Sequence, residues 1–121
     1  MKNLIILFVL FLLFSSCKKE EFVPENEIPV WLKDQIQWYD SALKQNPENY
    51  VLNGTAWIRY KWNNEYYFEF RSIISSSFAF PISFQQDTLK VCPVCSGTDY
   101  HDTKCCKQYV WKGTGFPDSE D

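Results

Sequence analysis

The spacing of hydrophobic side chains changes along this chain, and each change marks an element. From Leu4 to Phe14 every side chain is apolar, with no amphipathic period. Beyond a polar stretch, Leu32, Ile36, Tyr39 and Leu43 recur at i, i+4, i+7 and i+11, flanked by Trp31 and Trp38. This spacing predicts an amphipathic helix with Lys33, Asp34, Gln37, Asp40 and Lys44 on its polar face. Pro29 suits its first turn, where a missing N–H is harmless, and Asn46-Pro47 ends it, because the residue before proline is pushed out of the α region. The two tryptophans are read as core; the alternative is a membrane-facing stripe.

From Thr55 the period becomes two. Ala56, Ile58, Tyr60 and Trp62 alternate with Trp57, Arg59 and Lys61, and beyond Asn63-Asn64 the residues Tyr66, Phe68 and Phe70 alternate with Tyr67, Glu69 and Arg71. A two-residue turn at Asn63-Asn64 sets Ile58 opposite Glu69, mixing the core face with charge. A three-residue loop that includes Glu65 pairs Tyr60 with Phe68 and Ile58 with Phe70, keeping one face aromatic. The second register is the expected one, with a bulge after Asn64 to relieve the turn. Phe78, Phe80, Ile82 and Phe84 then suggest a strand that Pro81 confines to an edge or splits. Gln85 to Asp87 reads as a turn, Leu89 to Val91 as a short strand, and Gln108 to Trp111 as a last strand.

The apolar run at the start carries Lys2 before it and Ser15, Ser16 and Cys17 after it, the charged, apolar and small-residue anatomy of an export signal. As a helix it reaches only about 16 Å, roughly half the hydrocarbon thickness of a bilayer. Phe14-Ser15-Ser16-Cys17 resembles the lipobox of bacterial lipoproteins, departing from it at Phe14, where leucine is commoner. The resemblance implies cleavage before Cys17, a diacylglyceryl thioether on its sulfur, and an acyl chain such as palmitate on its new amino group. Two or three chains hold a protein on a membrane essentially permanently. Lys19-Glu20-Glu21 also resembles a short surface-export signal of some Gram-negative lipoproteins, the alternative being a merely soluble tether. The order of elements, with Ile28-Pro29-x-Trp31-Leu32 opening a helix, then aromatic strands, then a cysteine-bearing tail, resembles a group of small uncharacterised Gram-negative lipoproteins, a likeness that implies the architecture only; we expect the lipid anchor to place the domain on the outer membrane.

With residues 1–16 removed as signal peptide, the remainder is enough for one domain. We expect a lipidated tether over 17–27, a domain over 28–112 and a frayed acidic tail over 113–121. Loss of Lys2 takes the net charge from −3 to −4, and no basic stretch follows a phosphate backbone, which argues against nucleic acid as partner. With Cys17 assigned to the lipid, Cys92, Cys95, Cys105 and Cys106 remain, an even number within the cysteine-rich segment 92–106. Export favours disulfides, and adjacent cysteines seldom bond each other, so Cys105 and Cys106 are expected to pair with Cys92 and Cys95. The alternative is zinc, because Cys-Pro-x-Cys resembles the knuckle of zinc ribbons and His101 with Cys105 or Cys106 would complete a ligand set. A weaker alternative is thiol-redox catalysis, since Cys92-Pro93-Val94-Cys95 resembles the thioredoxin-type site. Ser96, Gly97 and Thr98 open no helix to activate it.

The expected fold is α+β: one N-terminal amphipathic helix across an antiparallel β-meander with a cysteine-rich C-terminal tail. No motif places a nucleophile beside His101, so the chain reads as a non-catalytic binding or accessory module with no cofactor. Trp57, Arg59, Lys61, Tyr67 and Arg71 would form its outer sheet face, an aromatic and basic patch suited to a protein partner. The alternative is that the tail covers an aromatic there.

Overall fold

The computed structural model describes residues 21–74, 79–90 and 99–117. Helix α1 spans Val30–Gln45 with Pro29 at its N-cap and Asn46 at its C-cap, the limits its prolines dictate. Helix α2, Tyr50–Asn53, is one short turn capped by the Asn49 side chain, which accepts from Leu52 N at 3.2 Å. Strands β1 (Thr55–Trp62), β2 (Glu65–Ser72) and β3 (Ile82–Ser83) are followed by the four-residue helix α3 (Tyr100–Thr103) and strand β4 (Cys105–Lys112). The mixed helix and antiparallel sheet is an α+β arrangement.

The sheet order is β3-β2-β1-β4, so β4 returns to lie beside β1 instead of extending the meander. Strand β3 is a two-residue edge, as Pro81 requires; Phe78 and Val91 lie outside the described residues, and Thr88 makes only an isolated bridge to Ile82.

The hairpin overturns the expected register. Asn63 (φ 49°) and Asn64 (φ 64°) both adopt the left-handed region and form a two-residue turn, pairing Tyr60 with Tyr67, Ile58 with Glu69 and Trp57 with Phe70. Asparagine tolerates this conformation better than most residues, and such turns match the twist of the strands. Glycine tolerates it better still. Asn64→Gly should therefore stabilise the domain by about 0.5–1 kcal/mol, read as a rise in thermal midpoint of a few degrees, whereas Asn64→Val should lower it.

The register decides what each face of the sheet carries. Leu32 of α1 is fully buried with Trp57, Phe68 and Val110, and Trp31, Ile36, Tyr39 and Phe70 pack around them. Trp31 lies edge-on to both Trp57 (5.8 Å) and Phe68 (6.0 Å). Two hydrogen bonds pin the helix: Trp31 Nε1 donates to Phe84 O at 3.0 Å, and Trp111 Nε1 donates to Asp40 Oδ1 at 2.9 Å. Of the two helix tryptophans only Trp31 is core; Trp38 is 62% exposed. On the opposite face Ala56, Ile58, Tyr60 and Tyr109 form a second cluster.

Both expected ends of the domain move outward. The stretch read as tether is docked from Glu21 onward: Val23 N donates to Tyr109 O at 2.8 Å, Tyr109 N donates to Glu21 O at 3.1 Å, and Val23 is buried. These residues cap part of the exposed edge of β4. At the other end the expected fraying does not begin at residue 113. Gly113 N donates to Thr55 O, Gly115 N donates to Asn53 O, and Phe116 packs on Tyr109. A Cβ on Gly113 would come within 2.4 Å of Asn53 O, so this crossing is built for glycine.

Candidate functional site

The register that sets Glu69 opposite Ile58 also sets a carboxylate inside the protein, and the candidate site is built around it. Glu69 is 2% exposed. A lone buried carboxylate is strongly unfavourable, so donors must surround it. Helix α3 and the C-cap residue that follows it supply two, four residues apart: Tyr100 OH donates to Glu69 Oε2 at 2.8 Å and Lys104 Nζ donates to the same oxygen at 2.7 Å. Arg71, two residues along β2 on the same face, donates from Nη2 to Oε1 at 3.0 Å.

Helix α3 is held there by aromatic packing. Tyr100 is fully buried in a triangle with Trp62 (5.6 Å) and Tyr67 (5.7 Å), and Trp62 Nε1 donates to Thr103 Oγ1 at 3.0 Å and Asp99 Oδ1 at 3.3 Å. Lys104 Nζ lies 4.0 Å above the Tyr60 ring, a cation–π contact. His101 Nδ1 is 3.4 Å from Lys104 Nζ.

Above this layer an open concavity of about 450 Å³ is lined by Tyr60, Arg71, His101 and Lys104. Its remaining described lining is Cys105, Cys106 and Lys107 at the start of β4. There β4 bulges: Arg59 faces Gln108 and Lys61 faces Cys105, leaving Cys106 and Lys107 opposite Tyr60 alone. Cys106 has φ 67°, unusual for a residue other than glycine, asparagine or aspartate.

Charge balance in the cluster sets its titration. Burial pushes the Glu69 carboxyl up, but the hydrogen bond and charge of Lys104, the Tyr100 hydroxyl and Arg71 outweigh it, leaving the carboxyl below its usual range. Burial pushes the Lys104 ammonium down further than its bond to Glu69 raises it, with Arg71 and Lys107 adding repulsion. The asymmetry is physical: the carboxylate faces two cations and a hydroxyl, whereas the ammonium faces one anion and two cations. Burial, then the charge of Glu69 and their hydrogen bond, push the Tyr100 phenol far up. His101 is pushed down by burial and by the charge of Lys104, against the weaker pull of Glu69.

These directions predict acid sensitivity. His101 and Glu69 bind protons less readily folded than unfolded, so each contributes stability that is lost as pH falls. The loss from His101 begins below about pH 6.5, its unfolded value, and that from Glu69 below about pH 4.5. Thermal midpoints measured from pH 7 to pH 4 should fall in two stages, and His101→Gln should remove the upper stage only.

The five residues expected on one outer face do not share it. Trp57 (4% exposed) and Arg59 (3%) are buried on the helix side, where Arg59 donates to Gln108 Oε1, meets Glu27 at 3.8 Å and stacks on Tyr66 at 3.9 Å. Lys61 is half-buried on that side, 5.8 Å from the Tyr66 ring. Tyr67 is buried on the opposite side beneath α3, and only Arg71 reaches the cleft. The slip of one residue between β1 and β2 is the cause.

Cys105 and Cys106 are exposed and joined to each other as a disulfide, not cross-paired as expected. While so joined, neither sulfur is the thiolate that zinc requires. Cys17, Cys92 and Cys95 lie outside the described residues. Among the described residues no three histidine, cysteine or carboxylate side chains converge on a metal position, and no helix is long and apolar enough to cross a membrane. Sequence reasoning missed Glu69, Tyr100, Lys104 and Lys107. The signal was present in the spacing of Tyr100 and Lys104 and in the parity that an Asn-Asn turn gives Glu69. No protein-family model, no curated protein and no solved structure matches the chain.

Proposed function

We propose that the protein is a non-catalytic binding module of the bacterial outer membrane, exported and anchored by acyl groups on Cys17, that holds an anionic ligand in the cleft above Glu69. The observation that carries the ligand class is the local reversal of charge. On a chain of net charge −3, the three cations Arg71, Lys104 and Lys107 line one concavity with His101, and Glu69, the carboxylate bonded to two of those cations, lies buried beneath it. A cleft of one sign with low-dielectric walls concentrates ligands of the other. Arg71 and Lys107 offer charge to an incoming carboxylate or phosphate, and Tyr60 supplies an aromatic wall. The anchor rests on the lipobox-like Phe14-Ser15-Ser16-Cys17, and Lys19-Glu20-Glu21 supports display at the cell surface.

One experiment addresses both halves. Native cells expressing the full chain and its Cys17→Ser variant are labelled with palmitate and fractionated; label and membrane association should vanish together in the variant. On the wild-type protein, succinate should shift the His101 resonances, and Lys107→Gln with Arg71→Gln should weaken that effect at least severalfold. A wild-type protein without label, or succinate shifts unaffected by these substitutions, refutes the corresponding half.

A further inference from the structure

The Cys105–Cys106 disulfide is a second chemical group in the same cleft, and the anion-binding reading does not use it. Both cysteines are exposed, both line the concavity, and the bulge with Cys106 at positive φ sets them at its rim. Within that lining Lys104, Lys107 and Arg71 make the surroundings electropositive. Exposed sulfur in such surroundings is the reactive kind, because nearby cations favour thiolate over thiol. Thiol–disulfide exchange produces one thiolate for each that it consumes, so both the attacker and the leaving group gain from that field.

We propose that Cys105–Cys106 is a thiol-exchange site that captures a small thiol bearing carboxylate groups. The proposal rests on the anion-binding reading of the cleft and names the ligand's reactive group. The ligand's thiolate attacks one cysteine Sγ and a new S–S bond forms to the ligand. The Cys105–Cys106 bond breaks, and its electron pair stays on the other Sγ as a thiolate beside the lysines. This first step exchanges partners without net oxidation. A second ligand thiolate then attacks the ligand sulfur of this mixed disulfide: the ligand–cysteine S–S bond breaks, its electron pair stays on that Sγ as a second thiolate, and a ligand disulfide is released. The ligand pair is then oxidised by two electrons, and the protein, reduced by the same two, takes up two protons as its cysteines become thiols.

The test uses the exported full chain and three probes: mercaptosuccinate (anionic), 2-mercaptoethanol (neutral) and cysteamine (cationic). Trypsin cuts after Lys104 and after Lys107, so Cys105-Cys106-Lys107 is released as a tripeptide whose mass reports the closed, mixed or reduced state. Corrected for thiolate fraction, mercaptosuccinate should open the bond about tenfold or more faster than cysteamine. The ratio should approach one in about 0.5 M salt and fall in Lys107→Gln, where the reporting tryptic peptide runs from Cys105 to Lys112 because the cut after residue 107 is lost. Rates that follow thiolate fraction alone overturn the proposal. So does a non-reduced digest in which the tripeptide stays linked to the peptide carrying Cys92 and Cys95. Succinate, which has no thiol, separates the two readings. If it binds in the cleft while the three thiols show no charge order, exchange fails and the anion cleft stands; if it does not bind, both fail.

Discussion

Replacing Glu69 by alanine should destabilise the domain by about 3–5 kcal/mol, a fall in thermal midpoint of about 12 °C or more for a domain of this size. The reason is what remains. Lys104, with its side chain only 12% exposed, and the buried Tyr100 hydroxyl would lose the carboxylate that both donate to, whereas Arg71, 41% exposed, can turn to water. Removing one member of a buried charge pair leaves the full desolvation penalty of the other. The triple change Glu69→Leu, Tyr100→Phe and Lys104→Met removes every stranded group together and should recover most of the loss. Denaturant unfolding of the single and triple variants measures this directly. A Glu69→Ala protein within about 1 kcal/mol of wild type would show that the cluster is not a closed network.

The second large effect lies on the other face of the sheet. Trp57→Ala should cost about 3–5 kcal/mol, because Trp57 is buried under α1 against Trp31 (5.8 Å) and Phe70 (5.4 Å), where a cavity cannot readily collapse. Trp57→Phe should cost far less. The indole Nε1 is buried without a hydrogen-bond partner among the described residues, so phenylalanine gives up volume but no polar contact. Lys61→Ala on the same strand face should stay within about 0.5 kcal/mol of wild type. Chemical unfolding of the three variants separates a core residue from a contact surface: were Trp57 a binding residue on an outer face, its truncation would leave the fold intact.

How far the sequence foretold this structure depended on whether one signal or two competing ones decided each element. Helix α1 was legible almost to the residue, since its apolar spacing, Pro29 and Asn46-Pro47 all point the same way. The existence of β1 and β2 was legible from their period of two. Their register was not, because two rules conflicted: hydrophobic matching favoured a three-residue loop, and turn chemistry favoured Asn63-Asn64 alone. Turn chemistry prevailed because the charge it buried, Glu69, finds Tyr100 and Lys104, 31 and 35 residues further along. Nothing local to the hairpin announces those partners. That single register also decided the site, sending Trp57 and Arg59 under the helix and bringing Glu69, Tyr67 and Arg71 to the face where α3 and the start of β4 make the cleft. The pairing of Cys105 with Cys106 was likewise beyond spacing arguments, since adjacency speaks against it and only the bulge in β4 gives it a place.

The docking of residues 21–23 on β4 fixes the length of the leash. If Cys17 carries fatty acyl groups, the chain from it to Glu21 spans at most about 14 Å even fully stretched. A domain on so short a lead stays within a fraction of its own diameter of the lipid surface and cannot sweep the surrounding volume for a ligand. Whatever occupies the cleft would have to arrive at the bilayer by its own diffusion or be handed over by a neighbour in the same plane.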